Sequence, residues 1–161
     1  MSDKKCRWGI LGSAGIAQKN WQSIHHAENA ELVAVASRDL AKSKDFINRC
    51  SAQVPHINQP MALGSYEELL SRDDIDAIYL PLPTGLRPEW ALKVAEAGKH
   101  LLCEKPCGTS LEQVQDIVAA CDRAGVQFMD GVMFMHSERL KRVRAAIDLS
   151  LIHISEPTRR S

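Results

Sequence analysis

Aromatic side chains make up only 5% of the 161 residues, and neither charge sign prevails: 20 Lys and Arg stand against 20 Asp and Glu. A neutral chain with few rings offers no basic, ring-studded surface for a polyanion, so nucleic acid is not an expected partner. Also lacking is any apolar run of membrane-spanning length, and Met1–Arg7 leads into a short apolar strand instead of a signal peptide's long apolar region. The expectation is a cytoplasmic protein with no membrane partner. The five cysteines (Cys6, Cys50, Cys103, Cys107, Cys121) are an odd number without a disulfide rhythm, which suits reduced thiols. Cys103 and Cys107 are four apart but have no second ligand pair or His cluster beside them, so no metal site is expected. Internal repeats and low-complexity segments are absent.

What is present is the composition of an ordinary globular domain, 45% hydrophobic and 25% charged, with length enough for one real core. Short apolar runs alternate with longer amphipathic segments. Strands are expected at Arg7–Leu11, Glu31–Ala36, Asp76–Leu80, His100–Cys103 and Val126–Met129. Helices are expected from Ile16 to His25, from an Asp39 cap to about Cys50, over Glu67–Leu70 behind the capping box of Ser65 and Glu68, from Pro88 to Ala97, and from Ser110 to Ala124. Gly98 and Gly125 close the last two, Val54–Pro60 is a loop with two prolines, and a basic helix begins at Ser137 and runs to Ile147. Strand–helix alternation with such crossovers implies an α/β fold, a Rossmann-type doubly wound parallel sheet.

The first strand-to-helix turn, Gly9-Ile-Leu-Gly12-Ser-Ala-Gly15-Ile-Ala17, matches G-x-G-x-x-G/A from Gly12, with Ala14 at the second glycine and Ala17 at the third. Gly12 permits a tight turn, while Ser13, Ala14, Gly15 and Ile16 lead into a helix N-terminus whose free N–H groups and dipole favour a pyrophosphate. The second strand ends in Ser37-Arg38 where an NAD-binding fold carries an acidic residue, so the expected cofactor is NADP, with NAD as the alternative. Pro81-Leu82-Pro83-Thr84 and Glu104-Lys105-Pro106 follow two further strands at the sheet's C-terminal edge, where ligands bind in such sheets. Lys105 is placed to move a proton at a substrate hydroxyl, with Glu104 orienting its ammonium.

Together Gly12–Ala17, Ala36–Arg38, Gly64–Leu69, Asp76–Thr84, Gly98–Pro106 and Met129–Gly131 resemble the glucose–fructose oxidoreductase / inositol dehydrogenase / MocA (Gfo/Idh/MocA) family, in the family's order. Within it the likeness is to the branch holding dimeric dihydrodiol dehydrogenases and NADP-linked D-xylose dehydrogenases. The resemblance implies a dinucleotide-binding domain followed by a second α+β domain that supplies most substrate contacts, a further acid/base and the homo-oligomer interface. It also implies Lys105 as the catalytic lysine and Leu82, Pro83, Thr84, Glu104 and Lys105 as cofactor contacts. Arg87 stands where many relatives carry His, and a ribose contact is carried over to it. His136 lies in the stretch Met133–His136 that leads toward the substrate domain, where a structural role is expected and a substrate contact is the alternative.

The stretch Leu149–Arg159 resembles the in-frame translation of a transposase-type sequencing adapter. The expected organisation is therefore a dinucleotide-binding domain over 1–136, the start of a linker helix over 137–148, and a non-native tail over 149–161. The family's second domain is expected to be missing. The function expected is that of the N-terminal part of an NAD(P)-dependent oxidoreductase passing hydride between the cofactor and a sugar or cyclic diol or alcohol, inactive alone. A non-catalytic dinucleotide-binding sensor or regulatory module is the alternative, and Lys105 is the feature that separates the two.

Overall fold

In a computed structural model the described residues are 5–132 and 137–148. They fall in two units that part between Gly131 and Val132. Of the second unit, the helix Glu138–Asp148 (α6) is described, with Leu140, Val143 and Ile147 exposed along it. His136 and residues 149–161 lie outside the described residues. No helix among the described residues is long and apolar enough to cross a membrane.

The first unit is a six-stranded sheet in the order β3-β2-β1-β4-β5-β6, with every pairing parallel. Its strands are β1 (Cys6–Leu11), β2 (Ala30–Ala36), β3 (Met61–Leu63), β4 (Ala77–Leu80), β5 (His100–Cys103) and β6 (Phe128–Asp130). The helices are α1 (Ala17–His26), α2 (Leu40–Ser51), α3 (Tyr66–Leu70), α4 (Arg87–Glu96) and α5 (Leu111–Ala124). This is the doubly wound order in which strand connections reverse direction between β1 and β4, leaving a crevice at their C-terminal ends. Parallel strands covered on both faces explain the near-continuous apolar character of Leu32–Ala36 and Ala77–Leu80.

Two cores flank the sheet. On one face Trp21 and Ile24 of α1 and Phe46 and Ile47 of α2 pack on Ile10, Leu32 and Val35. On the other, Leu69, Trp90, Ala91, Val94, Ile117 and Cys121 from α3, α4 and α5 pack on Ala34, Ile78 and Leu101. Burial of each Ile, Leu or Phe contributes about 1.5–3 kcal/mol. Trp21 also ties the loop after α2 to the first core: its Nε1–H donates to the Val54 carbonyl at 2.8 Å, and its ring meets that of His56 edge-on at 4.7 Å.

Local chemistry sets the element ends. Asp39, Ser65 and Ser110 accept backbone N–H bonds as helix caps, as their positions predict. Gly98 and Gly125 take positive φ of 68° and 66° and close α4 and α5 with bonds from Lys99 N–H to Val94 O and from Val126 N–H to Cys121 O. Val126 thus belongs to a helix cap, and β6 starts two residues later than the apolar run suggests. Asp76 likewise precedes its strand: its carboxylate receives the Arg7 N–H, Nε–H and Nη2–H at 2.9, 3.0 and 2.7 Å, pinning the starts of β1 and β4 together. β3 was not expected; at three residues it is too short to show a period, and it forms because β2 offers it an edge. Gly9 makes room for packing, since a Cβ there would sit 3.0 Å from both Ile78 Cδ1 and Leu69 Cδ1.

Candidate functional site

At the end of β1 the chain must turn sharply under the β4 loop. Gly12 does so at φ +119°, its N–H donating to Ala36 O at 2.9 Å, and a Cβ on it would lie 2.7 Å from Leu82 Cδ2. Only glycine takes this backbone and this approach without strain. Ser13, Ala14, Gly15 and Ile16 follow and deliver the chain into α1. Unlike α2, α3 and α5, that helix has no side-chain bond from its N-cap, Ile16; its first turn holds no acidic residue. The positive end of its dipole is left uncompensated by the chain's own side chains. Around Gly15 nothing lies within 4 Å of where a Cβ would be.

A cleft of about 230 Å³ opens beside this turn. It brings Gly12, Ser13 and Ala14 together with Ser37 and Arg38 from the end of β2 and Leu82 and Pro83 from the loop after β4. Ser37 is buried and its N–H donates to Leu63 O, whereas Arg38 is exposed. Pro81 lines it too, and so do two residues that reading the sequence missed, Lys42 and Tyr66. Lys42 was findable, since it lies one helical turn beyond Arg38 on a helix whose cap was already assigned. Tyr66 was hidden behind its neighbour's role as a cap, and only the tertiary fold carries α3 to this edge. Burial pushes the Tyr66 hydroxyl's pKa up, while the hydrogen-bonded Arg38 guanidinium pulls it down. A larger hollow of about 410 Å³ bounded by Trp8, Asn20, Tyr79 and Leu102 has no cationic lining residue. The smaller cleft carries two cationic side chains, Arg38 and Lys42, beside the Gly12 turn.

The remaining expected residues surround the next loop. Thr84 opens a single 3-10 turn, and its Oγ1 accepts from Arg87 Nη1 at 3.2 Å. Arg87 itself is only 9% exposed, with Nε donating to Leu82 O at 2.6 Å and Nη1 to Pro106 O at 2.7 Å. Its donors therefore go to protein oxygens. Glu104 leaves β5 with Oε1 accepting from the Tyr79 hydroxyl at 2.7 Å and Oε2 accepting from the Lys105 backbone N–H at 3.3 Å. This corrects one expectation. Among the described residues no ion pair joins Glu104 to the Lys105 ammonium, because the carboxylate is turned toward Tyr79 while the Lys105 side chain is exposed. Burial, then the bond to Glu104, raises the Tyr79 pKa far above its usual range. Cys103 and Cys107 flank the loop, and the hydrogen bond between their thiols raises the Cys103 pKa and lowers that of Cys107.

The donor set fits a phosphorylated dinucleotide: an uncapped helix N-terminus with small residues before it, two cations at the far end of the same cleft, and a lysine at the neighbouring strand end. Comparison with known proteins agrees with this arrangement. The chain is 41% identical over 127 residues to a D-xylose 1-dehydrogenase (NADP+) of Haloferax volcanii, a match covering 79% of this chain and 37% of that protein. It is 36% identical over 126 residues to a trans-1,2-dihydrobenzene-1,2-diol dehydrogenase of Xenopus laevis, covering 77% of this chain and 36% of the relative. Among solved structures, a 3-ketoreductase from Actinomadura kijaniata in complex with NADP superposes with a TM-score of 0.83 at 32% identity, over 92% of this chain and 45% of that one. The chain thus spans about two-fifths of the length of the curated relatives it matches. Residues 6–132 match the Gfo/Idh/MocA oxidoreductase family, described by its NAD-binding Rossmann fold, and the chain belongs to that family.

Proposed function

We propose that this chain is the cofactor-binding part of an NADP-dependent oxidoreductase acting on a sugar or a related cyclic alcohol or diol. The observation that carries the reading is the convergence of the Gly12–Ala14 turn, Ser37, Arg38 and Lys42 on one cleft. In it Arg38 and Lys42 hold the 2′-phosphate, with Ser37 small enough to admit it, and Tyr66 borders the same end. The α1 N-terminus receives the pyrophosphate, and Leu82, Pro83 and Thr84 border the path from the cleft toward Lys105. The bound nicotinamide supplies the hydride donor or acceptor.

Lys105, exposed at the end of β5, holds or moves the proton at the substrate oxygen. Tyr79 fixes Glu104, which in turn holds the Lys105 backbone N–H, so the lysine's main chain is anchored while its ammonium remains free to meet a substrate. Substrate contacts and a second acid/base come from a further domain, and this part alone turns over little or nothing because proximity is missing. The activities of the related xylose and dihydrodiol dehydrogenases support the choice of substrate class.

The test is Lys105→Met in the chain joined to its substrate domain. Turnover is expected to fall by about 10²–10⁴, the usual worth of a positioned acid/base, with NADP affinity unchanged. Equal loss of both would remove the catalytic role and favour a binding module without chemistry.

A further inference from the structure

Arg87 is an odd residue for its place. It is the first residue of α4, where the helix dipole disfavours a cation, and it is nearly buried. A guanidinium taken out of water must be repaid by well-made hydrogen bonds. Its three hydrogen-bond acceptors are neutral oxygens in two loops: Leu82 O and Thr84 Oγ1 in the loop it closes, and Pro106 O, 19 residues further on, beside Lys105. Those loops leave β4 and β5, which are paired neighbours in the sheet, at the same C-terminal edge. The planar fork of Arg can serve both at once from one rigid group, whereas the point charge of Lys cannot fix that geometry.

We infer that Arg87 is a positioning residue, a strut that ties the cleft-lining Leu82 and the adjoining Thr84 to the loop bearing Lys105, so that occupancy of the cleft is transmitted to the lysine's backbone. It acts through the two loops instead of touching a ribose. The inference rests on the cofactor reading above and deepens it.

The probe is adenosine 2′,5′-bisphosphate, which carries the 2′-phosphate but has no nicotinamide to lay against Lys105. Amide ¹H–¹⁵N spectra of the whole chain are recorded with and without it for wild type, Arg87→Met and Arg87→Lys. In wild type the probe is expected to shift the amides of Ser13, Arg38 and Leu82, and also those of Lys105 and Cys107. In Arg87→Met the first three still shift and the last two no longer do; Arg87→Lys, which keeps the charge without the fork, behaves the same way and stands in if the Met variant does not fold. A purely structural arginine would leave the transmitted shift intact in any variant that folds. Retention of the Lys105 and Cys107 response in either variant, or its absence in wild type that binds the probe, overturns the strut. Absence of any shift in wild type overturns the cofactor reading itself.

Discussion

Replacing Gly12 by Ala tests the geometry of the turn on which the site depends. Two separable costs are expected. The first is backbone: φ of +119° is strained for any residue with a Cβ and costs about 1–3 kcal/mol. The second is steric. The new methyl would lie 2.7 Å from Leu82 Cδ2, far inside van der Waals contact, so the buried Leu82 side chain must be displaced within its packing. Forcing an extra carbon into such a site costs about 1–3 kcal/mol more. The sum, about 2–6 kcal/mol, lowers Tm by roughly 8–24 °C for a domain of this size.

The assay is urea unfolding of Gly12→Ala, Leu82→Ala and the double variant. With Leu82 shortened, the steric part vanishes and the backbone part stays, so the cycle should show a coupling of about 1–3 kcal/mol. Displacement of Leu82 should also weaken NADP binding in the single variant, and shortening Leu82 should restore part of it. The reasoning is wrong if Gly12→Ala changes stability by less than about 0.5 kcal/mol, the range of an ordinary surface change. It is equally wrong if the cost is the same in both backgrounds.

Other consequences are open to simpler checks. Lys99 is 6% exposed, and its ammonium donates to Arg72 O at 2.6 Å and Ile75 O at 3.0 Å; Lys99→Met orphans both carbonyls and should cost about 1–3 kcal/mol in a chemical melt, and a neutral result would mean water already serves them. Tyr79→Phe removes the bond to the Glu104 carboxylate and should cost about 1.5–3 kcal/mol, with a changed Lys105 amide shift as the local readout. Burial against Trp21 holds the His56 pKa below its ordinary 6.5. The unfolded chain then binds the extra proton more readily, so stability is fully present above about pH 6.5 and declines as pH falls through the native value. His56→Gln should flatten that part of the Tm–pH profile, and an unaltered slope would assign it to other groups.

Much of this fold was legible because its signals are local. The caps Asp39, Ser65 and Ser110 and the closing glycines Gly98 and Gly125 each satisfy nearby backbone groups, so their meaning survives outside the tertiary structure. Gly12 was legible for the same reason. What escaped depends on partners distant in sequence. β3 exists because β2 pairs with it, and Tyr66 reaches the cleft only through the placement of α3. The carboxylate of Glu104 goes to Tyr79, 25 residues earlier, and not to its neighbour Lys105. Arg87 could be noticed as a basic residue in a loop, but the direction of its donors, toward Leu82, Thr84 and Pro106, has no sequence signature.

The central claim is that the Arg38–Lys42 end of the cleft selects a 2′-phosphorylated dinucleotide. Calorimetric titration of the chain with NADP and with NAD, repeated on Arg38→Asp, tests it most directly. Wild type is expected to bind NADP more tightly, and the variant to shift its preference toward NAD, as a charge-assisted phosphate contact is lost and a ribose acceptor gained. Equal affinity for the two dinucleotides in wild type, or an unchanged ratio in Arg38→Asp, would contradict it.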